Sequence, residues 1–386
     1  MTRSNTNTLP NVAVAPNAFR GSLSAIKATK AIASGIANSN FYCNILEMPL
    51  ADGGDGTLEV WLNATQGQRL QHQVHDPLGR SINAEFGLAN QTAVIEMAQA
   101  SGIELLQPNE RNPLKTTTYG TGELILAAIK AGASEILIGV GGSATVDGGA
   151  GCLQALGAQL LDQDGKPIGF GGAELARLAS IDISGVQAQL EGIRLSVLCD
   201  VDNPLIGEHG AAHVFGPQKG ADTEAVKILA DNLEHFAHVV RRDVGIDIAT
   251  IPHGGAAGGV SAGLYAIGAS LDSGIERIIE ACGYETILQN EHPFLLITGE
   301  GRLDSQSHRG KAPIGIAELA RRYHIPVIAL VGSLESTPQQ LQEWNILAAY
   351  SIVQQVCSLE VALANAENWL QDTATYVGNL LSLAFS

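Results

Sequence analysis

The N-terminal part of the chain alternates short apolar runs with amphipathic segments. Residues 12–15 and 42–48 are apolar runs that predict strands. Residues 23–37 lie between them and predict a helix, with Ser22 as its capping residue. Thr57 opens a further helix, so the chain starts as β-α-β-α. This alternation is typical of a parallel sheet that is covered by helices.

The C-terminal part resumes the same pattern. Three more apolar runs predict strands, at residues 294–298, 326–331 and 346–353. Pro313 suits the first position of a helix, because its missing N–H group has no partner there. The five predicted strands indicate one Rossmann-like parallel sheet, which is built from both ends of the chain.

The middle of the chain has a different character. Residues 71–97 alternate between polar and apolar positions, as in a hairpin, with a turn at residues 76–80. A short helix at residues 124–131 and strands at residues 135–140 and 195–199 follow. This mixture predicts a second, α+β domain.

The predicted fold class is therefore α/β: a Rossmann-like parallel five-stranded sheet domain with a large inserted α+β domain. The discontinuous Rossmann-like domain is predicted over residues 1–69 and 287–386. The inserted domain is predicted over residues 70–286.

Composition narrows the classes of function. Of 386 residues 45% are hydrophobic, which is enough for large cores and excludes wholesale disorder. The net charge of −17 and an aromatic content of 5% disfavour nucleic acid and anionic membranes as partners. No run of 18 apolar residues occurs, and the N-terminus has no secretory signal, so we expect a cytoplasmic protein. The five cysteines are widely spaced, which favours free thiols.

The 44 glycines cluster in loops that follow predicted strands. In proteins with a parallel sheet, ligands bind in the loops just outside the carboxyl ends of the strands. Each such loop is, by itself, also typical of a tight turn with solvated side chains. Their joint occurrence indicates a site. The loops cover residues 15–24, 49–57, 139–151, 198–221, 253–259 and 298–313.

The residue types in these loops suit an anionic substrate. Asp52 and Asp55 stand three residues apart with glycines between them, and paired carboxylates suit Mg²⁺. The glycines of residues 139–151 offer backbone N–H groups to phosphate oxygens. Lys219 and Lys311 stand where a cation can meet a phosphate. The chain has no Walker loop and no GxGxxG after its first strand.

Seven blocks together resemble the bacterial type-1 glycerate kinases, in the same order along nearly the whole chain. The blocks are APNAFRGSLSA, PLADGGDGT, TTTYGTGELI, GVGGSATVDGGAG, LCDVDNPL, FGPQKGA and TGEGRLDSQSHRGKAP. The resemblance implies ATP-dependent phosphorylation of D-glycerate with Mg²⁺, in a cleft between a Rossmann-like domain and an inserted domain. It implies 2-phosphoglycerate as the product, with 3-phosphoglycerate as the alternative.

We assign roles in this reaction from the residue types. Asp200 is expected to orient the attacking hydroxyl, with Asp52 as the rival and Lys311 as the third catalytic residue. The predicted substrate-binding residues are Arg20, for the carboxylate, Asn203 and Ser143. The predicted phosphate- and nucleotide-binding residues are Lys219, Gly141, Gly142, Gly255, Gly258 and Glu300. The predicted metal ligands are Asp52 and Asp304.

Two other classes of function compete with the kinase. One is a nicotinamide-dependent oxidoreductase of a small hydroxy acid, which the missing GxGxxG disfavours. The other is a metabolite sensor that binds glycerate without turnover, although a sensor would not need so many acids beside cations. The sequence leaves the oligomeric state open, with a homo-oligomer as one alternative.

Overall fold

The computed structural model describes residues 9–304 and 311–385. The strands in these residues are β1 (Asn11–Pro16), β2 (Asn44–Glu47), β3 (Gln68–His75), β4 (Ser81–Ala89), β5 (Thr92–Glu96), β6 (Glu135–Gly139), β7 (Gln159–Leu161), β8 (Ser180–Asp182), β9 (Arg194–Leu198), β10 (Ser270–Asp272), β11 (Leu295–Leu303), β12 (Val327–Leu334) and β13 (Ile346–Ser351).

The helices in the same residues are α1 (Ala25–Ala37), α2 (Thr57–Thr65), α3 (Ala98–Ser101), α4 (Tyr119–Lys130), α5 (Ala150–Ala155), α6 (Ser184–Gln189), α7 (Ala211–Phe215), α8 (Thr223–Asp243), α9 (Ala256–Ala266), α10 (Gly274–Ala281), α11 (Tyr284–Glu291), α12 (Ala312–Arg322), α13 (Pro338–Glu343) and α14 (Leu359–Phe385). Short 3-10 helices cover Ile103–Leu105, Pro108–Glu110, Gly172–Arg177 and Pro217–Lys219.

The predicted five-stranded parallel sheet is confirmed. Its strand order is β13-β12-β11-β1-β2, and every neighbouring pair is parallel. Helices α1 and α14 pack on this sheet, where Ile32 and Leu370 share a buried apolar cluster with Ile297 of β11. Because both chain ends supply strands, the central strands β1 and β11 come from opposite ends of the sequence and pair directly.

The middle of the chain forms a mixed sheet of its own. Its order is β10-β9-β6-β5-β4-β3, with β3, β4 and β5 antiparallel and the remaining neighbours parallel. The predicted hairpin is the β3–β4 pair. Its turn is held by Asp76, whose buried carboxylate accepts hydrogen bonds from the backbone N–H groups of Leu78 and Arg80 at 2.8 Å each.

By its packing the chain divides into two compact units. Unit 1 is Met1–Ala51 with Ile275–Ser386, and unit 2 is Asp52–Gly274. Helix α2 belongs to unit 2 because Leu58 and Trp61 lie against Gly87 of β4, where a Cβ atom would meet both side chains at 2.7–3.0 Å. The domain limits predicted from the sequence, at 69/70 and 286/287, remain a prediction.

The first helix starts later than the sequence indicates. Helix α1 begins at Ala25, and its capping residue is Ser24, whose Oγ accepts a hydrogen bond from the N–H of Lys27 at 3.3 Å. Ser22 instead donates its hydroxyl hydrogen to the carbonyl of Phe19 at 2.9 Å. A tight turn therefore separates β1 from α1, and Ser22 belongs to the turn.

The cysteines agree with the expectation of free thiols. All five are unbridged, and Cys152 and Cys199 are buried. Burial raises the pKa of the Cys199 thiol to about 12, so this thiol stays protonated and inert near neutral pH. Among the described residues no helix is both long and apolar enough to span a bilayer.

Candidate active site

Glycine loops of unit 2 meet at the carboxyl ends of two neighbouring strands. Strands β6 and β9 are paired, and Gly53 lies against the end of each. A Cβ atom on Gly53 would stand 2.8 Å from the Cβ of Leu198, and one on Gly139 would stand 2.6 Å from the carbonyl oxygen of Gly53. Only glycines allow backbones to approach this closely. The sequence predicted loops after these strands, and the structure brings loops 49–57, 139–151 and 198–221 together.

Two carboxylates, those of Asp52 and Asp200, lie where these loops meet. Asp200 directly follows β9, and its Oδ1 accepts a hydrogen bond from the N–H of Gly274 at 3.1 Å. Asp200 keeps exposed surface, but protein atoms crowd its carboxyl group and displace part of the surrounding water. That environment and the negative charge of Asp52 raise the pKa of Asp200 to about 8. Because two neighbouring carboxylates repel each other when both are charged, a cation beside them is favourable.

The Asp52 and Asp200 pair fits Mg²⁺. This ion typically takes one or two protein carboxylates and completes its shell with water and substrate phosphates. In the part of the chain that the structure describes, no group of three or more His, Cys, Asp or Glu side chains is arranged to hold a metal without such help. The donor set therefore suits a metal that arrives with a phosphate ligand.

The glycine loop at residues 139–151 uses many of its own backbone donors. Ala144 donates to the carbonyl of Ser101 at 2.9 Å, and Gly148 donates to the carbonyl of Gly258 at 3.0 Å. The long hydrogen bond from Gly141 to the carbonyl of Gly53 measures 3.4 Å. The sequence predicted a nest of N–H groups for phosphate. In the structure much of this loop holds protein oxygens instead, and the exposed residue of its tip is Gly142.

Asp147 accepts hydrogen bonds within the same loop and from Thr118. The sequence analysis gave Asp147 no role in the site. Its buried carboxylate accepts hydrogen bonds from the N–H and hydroxyl groups of Thr118 at 2.9 and 2.8 Å. It also accepts from the N–H groups of Gly149 and Gly151 at 3.1 and 3.3 Å. Burial raises the pKa of Asp147, and these hydrogen bonds oppose the rise. An acid within a glycine run, followed by a helix, is the signal that could have indicated this role.

Lys219 and Ser143 contact each other inside unit 2. Lys219 is 3% exposed, and its Nζ donates to the Ser143 hydroxyl oxygen at 2.7 Å and to the carbonyl of Thr145 at 2.8 Å. The sequence placed these residues in different roles, with Lys219 at phosphate and Ser143 at the substrate. The structure joins them in one hydrogen-bonded group.

The predicted residues Asn203, Gly255 and Gly258 also lie among these loops. The Asn203 side-chain amide donates to the carbonyl of His209 at 2.9 Å, and the Asn203 carbonyl accepts from the N–H of Gly255 at 2.8 Å. Gly258 has φ +71° and lies with its backbone against that of Thr145. The glycines of residues 253–259 therefore allow backbone contact with loop 139–151.

Unit 1 carries a second group of predicted site residues. Because β1 ends at Pro16, opposite Gly299, the loop after β1 lies beside the last residues of β11, which runs to Leu303, so the first part of the predicted loop 298–313 is strand. A Cβ atom on Gly301 would stand 3.4 Å from the backbone nitrogen of Arg20, whose side chain is exposed. Of the predicted loop 298–313, residues 305–310 lie outside the described residues.

Lys311 stands immediately before α12. Its Nζ lies 3.6 Å from Oδ1 of Asp304 and 4.0 Å from Oε1 of Glu300. A helix N-terminus favours anions over cations, so a lysine at this point is stabilised by the carboxylates beside it. The helix start and the lysine can both bind a phosphate oxygen.

Asp304 has two cations beside it. Besides Lys311, its carboxylate lies 3.2 Å from Nε of Arg302. A carboxylate that already neutralises two cations attracts a metal ion less than one that stands beside another acid. The structure therefore favours Asp52, whose neighbour is the acid Asp200, over Asp304 as the metal-binding carboxylate.

Comparison with known proteins finds similarity to one family over nearly the whole chain. The family model described as "Glycerate kinase family" matches residues 12–382. A glycerate kinase of Halalkalibacterium halodurans is 44% identical over 94% of this chain and 96% of its own length. A glycerate 2-kinase of Escherichia coli is 45% identical over 92% and 93% of the two chains.

A solved structure agrees with these relatives. The crystal structure of a protein assigned as glycerate kinase 2 from Salmonella typhimurium LT2 superimposes with a TM-score of 0.86 at 45% identity. It covers 98% of this chain and 99% of that one. The matches give no support to the oxidoreductase alternative. By sequence over nearly its full length, and by fold, the chain belongs to the glycerate kinase family.

Proposed function

We propose that this protein transfers the γ-phosphoryl group of ATP to D-glycerate, with Mg²⁺, and forms 2-phosphoglycerate. Membership of the glycerate kinase family supports the reaction class, and the name of the Escherichia coli relative, glycerate 2-kinase, supports the position phosphorylated. The observation that carries the proposal within the structure is the Asp52 and Asp200 pair at the carboxyl ends of the strands of unit 2.

The proposed roles follow from what phosphoryl transfer requires. The reaction needs positioning and charge neutralisation more than covalent chemistry. Asp200 accepts a hydrogen bond from the attacking hydroxyl of glycerate and orients it. Arg20, exposed on unit 1, pairs with the substrate carboxylate. Lys311, at the start of α12, binds the transferring phosphoryl group.

Mg²⁺ would be held by Asp52, and the neighbouring Asp200 carboxylate would add negative charge beside the ion without binding it. The ion supplies positive charge that neutralises the phosphate oxygens when it is bound. Loss of water around the carboxyl group and the negative charge of Asp52 raise the pKa of Asp200, so a cation bound here would be stabilised. Asp52 is therefore assigned to the metal, and Asp200 to the hydroxyl.

The test is product analysis by phosphorus NMR after incubation with ATP, Mg²⁺ and D-glycerate. We expect ADP and a single phosphate ester on the hydroxyl at C2. An ester at C3 would contradict the position proposed. An absence of ADP, with NADH formed when NAD⁺ replaces ATP, would contradict the kinase itself. L-glycerate in a parallel reaction serves as the stereochemical control.

Lys311→Ala is expected to lower kcat/KM by at least ~10-fold, which is the scale of one lost charge-assisted contact. The fold should persist, because Lys311 is partly exposed and lies outside the strands. The measurement is steady-state kinetics with ADP release, next to a thermal melt.

Lys30→Ala is the matched control for this variant. Lys30 is exposed on α1 of the same unit, so its loss removes the same charge. Normal kinetics in the Lys311 variant would mean that this lysine is an ordinary surface residue. An equal loss in both variants would point to net charge rather than to the site.

A further inference from the structure

Lys219 lies beneath the exposed tip of the glycine loop. Its side chain is 3% exposed and reaches the loop from inside the protein, with Nζ at 2.7 Å from Oγ of Ser143. Ser143 is 8% exposed, and Gly142 beside it is open to solvent. The lysine therefore contacts the loop, and the loop tip is what a ligand can reach.

The direction of the hydrogen bond between Lys219 and Ser143 depends on the charge of the lysine. A charged ammonium group has hydrogens to donate and no acceptor. The Ser143 oxygen then accepts from it, and the serine hydrogen is left to donate to another oxygen. An uncharged amine has a lone pair and can accept the serine hydrogen instead. The charge on Lys219 thus decides whether Ser143 is a donor toward a ligand.

The surroundings of Lys219 cause it to lose its charge near neutral pH. Burial lowers the pKa of Lys219 to about 7, and the negative charge of Asp147 opposes that fall. Neighbouring segments carry other charged groups. Arg111 has its carbonyl against Gly220, while His213 on α7 and Asp222 at the start of α8 are exposed. Water screens the exposed His213 and Asp222, and Arg111 is half-buried; of the charged groups named here, Asp147 is the one that shifts the pKa of Lys219.

We propose that Lys219 is a positioning residue, which holds the Ser143 hydroxyl as a hydrogen-bond donor toward an anionic oxygen of a ligand at the loop tip, Gly141–Ser143. The oxygen belongs to a phosphate or to a carboxylate, and the ligand binds with uptake of a proton by Lys219. The identity of the ligands, ATP and D-glycerate, rests on the proposed function. The role differs from the direct phosphate contact that the sequence predicted for Lys219, because the ammonium group is buried.

The sign of the pH dependence follows from this role. In the free protein Lys219 loses its charge as the pH rises through about 7. The bound anion stabilises the charged form, so binding is strongest where the lysine is already charged. We expect the Kd of the ligand to rise about 10-fold between pH 7.0 and pH 8.5. A lysine that served as a general base would give the opposite trend, with a rate that increases with pH.

The experiment measures Kd by calorimetry at these two pH values for ATP, D-glycerate and pyrophosphate separately. ATP and D-glycerate distinguish a phosphate from a carboxylate at the loop tip. Lys219→Met removes the charge at nearly constant volume, and Ser143→Ala removes the hydroxyl. Lys166→Met makes the same change at a side chain that is 74% exposed, and it is the control. Thermal melts check folding, and Ser143→Ala, which leaves the hydrogen bond from Lys219 to the carbonyl of Thr145 in place, keeps the test valid if Lys219→Met melts lower than the wild type.

The proposal is supported if the wild type and Lys166→Met show the pH dependence for at least one ligand and Lys219→Met and Ser143→Ala both lose it. The double variant should then be no worse than either single variant. A wild type that phosphorylates glycerate but binds every ligand equally at both pH values overturns this inference and leaves the proposed function intact. Pyrophosphate binding with the expected dependence, but no turnover of glycerate, overturns the proposed function and leaves this inference intact.

Discussion

Asp200→Asn is expected to lower kcat by about 10²–10⁴, the range for a lost general base, while ATP still binds about as well as to the wild type. Asn keeps the size of the side chain and one acceptor oxygen, so the hydrogen bond from Gly274 can persist. What disappears is the carboxylate that orients the attacking hydroxyl, which has a pKa of about 8 in the metal-free protein and which a bound Mg²⁺ would keep ionised at neutral pH. The loose transition state of phosphoryl transfer releases the hydroxyl proton late, so positioning is the main contribution that is lost.

The matched control for this variant is Asp202→Asn. Asp202 lies two residues further along the same loop, and its side chain is 94% exposed. The same substitution there should leave kcat near that of the wild type. The measurements are kcat by ADP release and ATP affinity by calorimetry in the presence of Mg²⁺. A kcat for Asp200→Asn within threefold of the wild type would move the role to Asp52. Loss of ATP binding would make Asp200 a metal ligand instead.

Gly258→Ala should destabilise the protein by about 2–5 kcal/mol, because a positive φ and an overpacked contact are both unfavourable. Gly258 has φ +71°, and a Cβ atom there would overlap the carbonyl oxygen of Thr145. The same carbonyl accepts a hydrogen bond from Lys219, so activity should fall as well. At roughly 2–4 °C per kcal/mol, we expect the Tm to fall by about 4–20 °C.

Gly245→Ala separates the cost of the positive φ from the cost of the overpacked contact. Gly245 has φ +82°, but a Cβ atom there would meet nothing within 4 Å. This variant should show only the backbone effect, of about 1–2 kcal/mol, with normal kinetics. Differential scanning calorimetry of both variants gives the comparison. Equal Tm values for the two would mean that the contact between Gly258 and Thr145 adapts without cost.

The strand pattern was predictable because parallel strands that are buried on both faces are continuous apolar runs. Residues 12–15 and 294–298 are such runs, and they pair as β1 and β11. The start of α1 was less predictable, because Ser22 and Ser24 are both suitable capping residues. The hydrogen bond from Ser22 to Phe19 decides between them, and it depends on how the turn packs.

The glycine loops were predictable as a set, but their individual roles were not. A glycine that lets two backbones touch and a glycine that lets a ligand approach have the same sequence signal. Gly139 and Gly258 belong to the first kind in the structure. The role of Asp147 was not predictable either, because it accepts hydrogen bonds from Thr118, which lies 29 residues away in the sequence.

The sequence by itself determined the fold class, the family resemblance and the loops that carry the chemistry, because these depend on local periodicity and residue type. Only the tertiary structure decided which side chains meet. In the structure Lys219 donates a hydrogen bond to Ser143, which lies 76 residues away in the sequence, and two cations lie beside Asp304. The negative charge of Asp52 raises the pKa of Asp200. The physical reason is that burial and charge, which set the pKa and the hydrogen-bond direction of a side chain, come from neighbours that are distant in sequence.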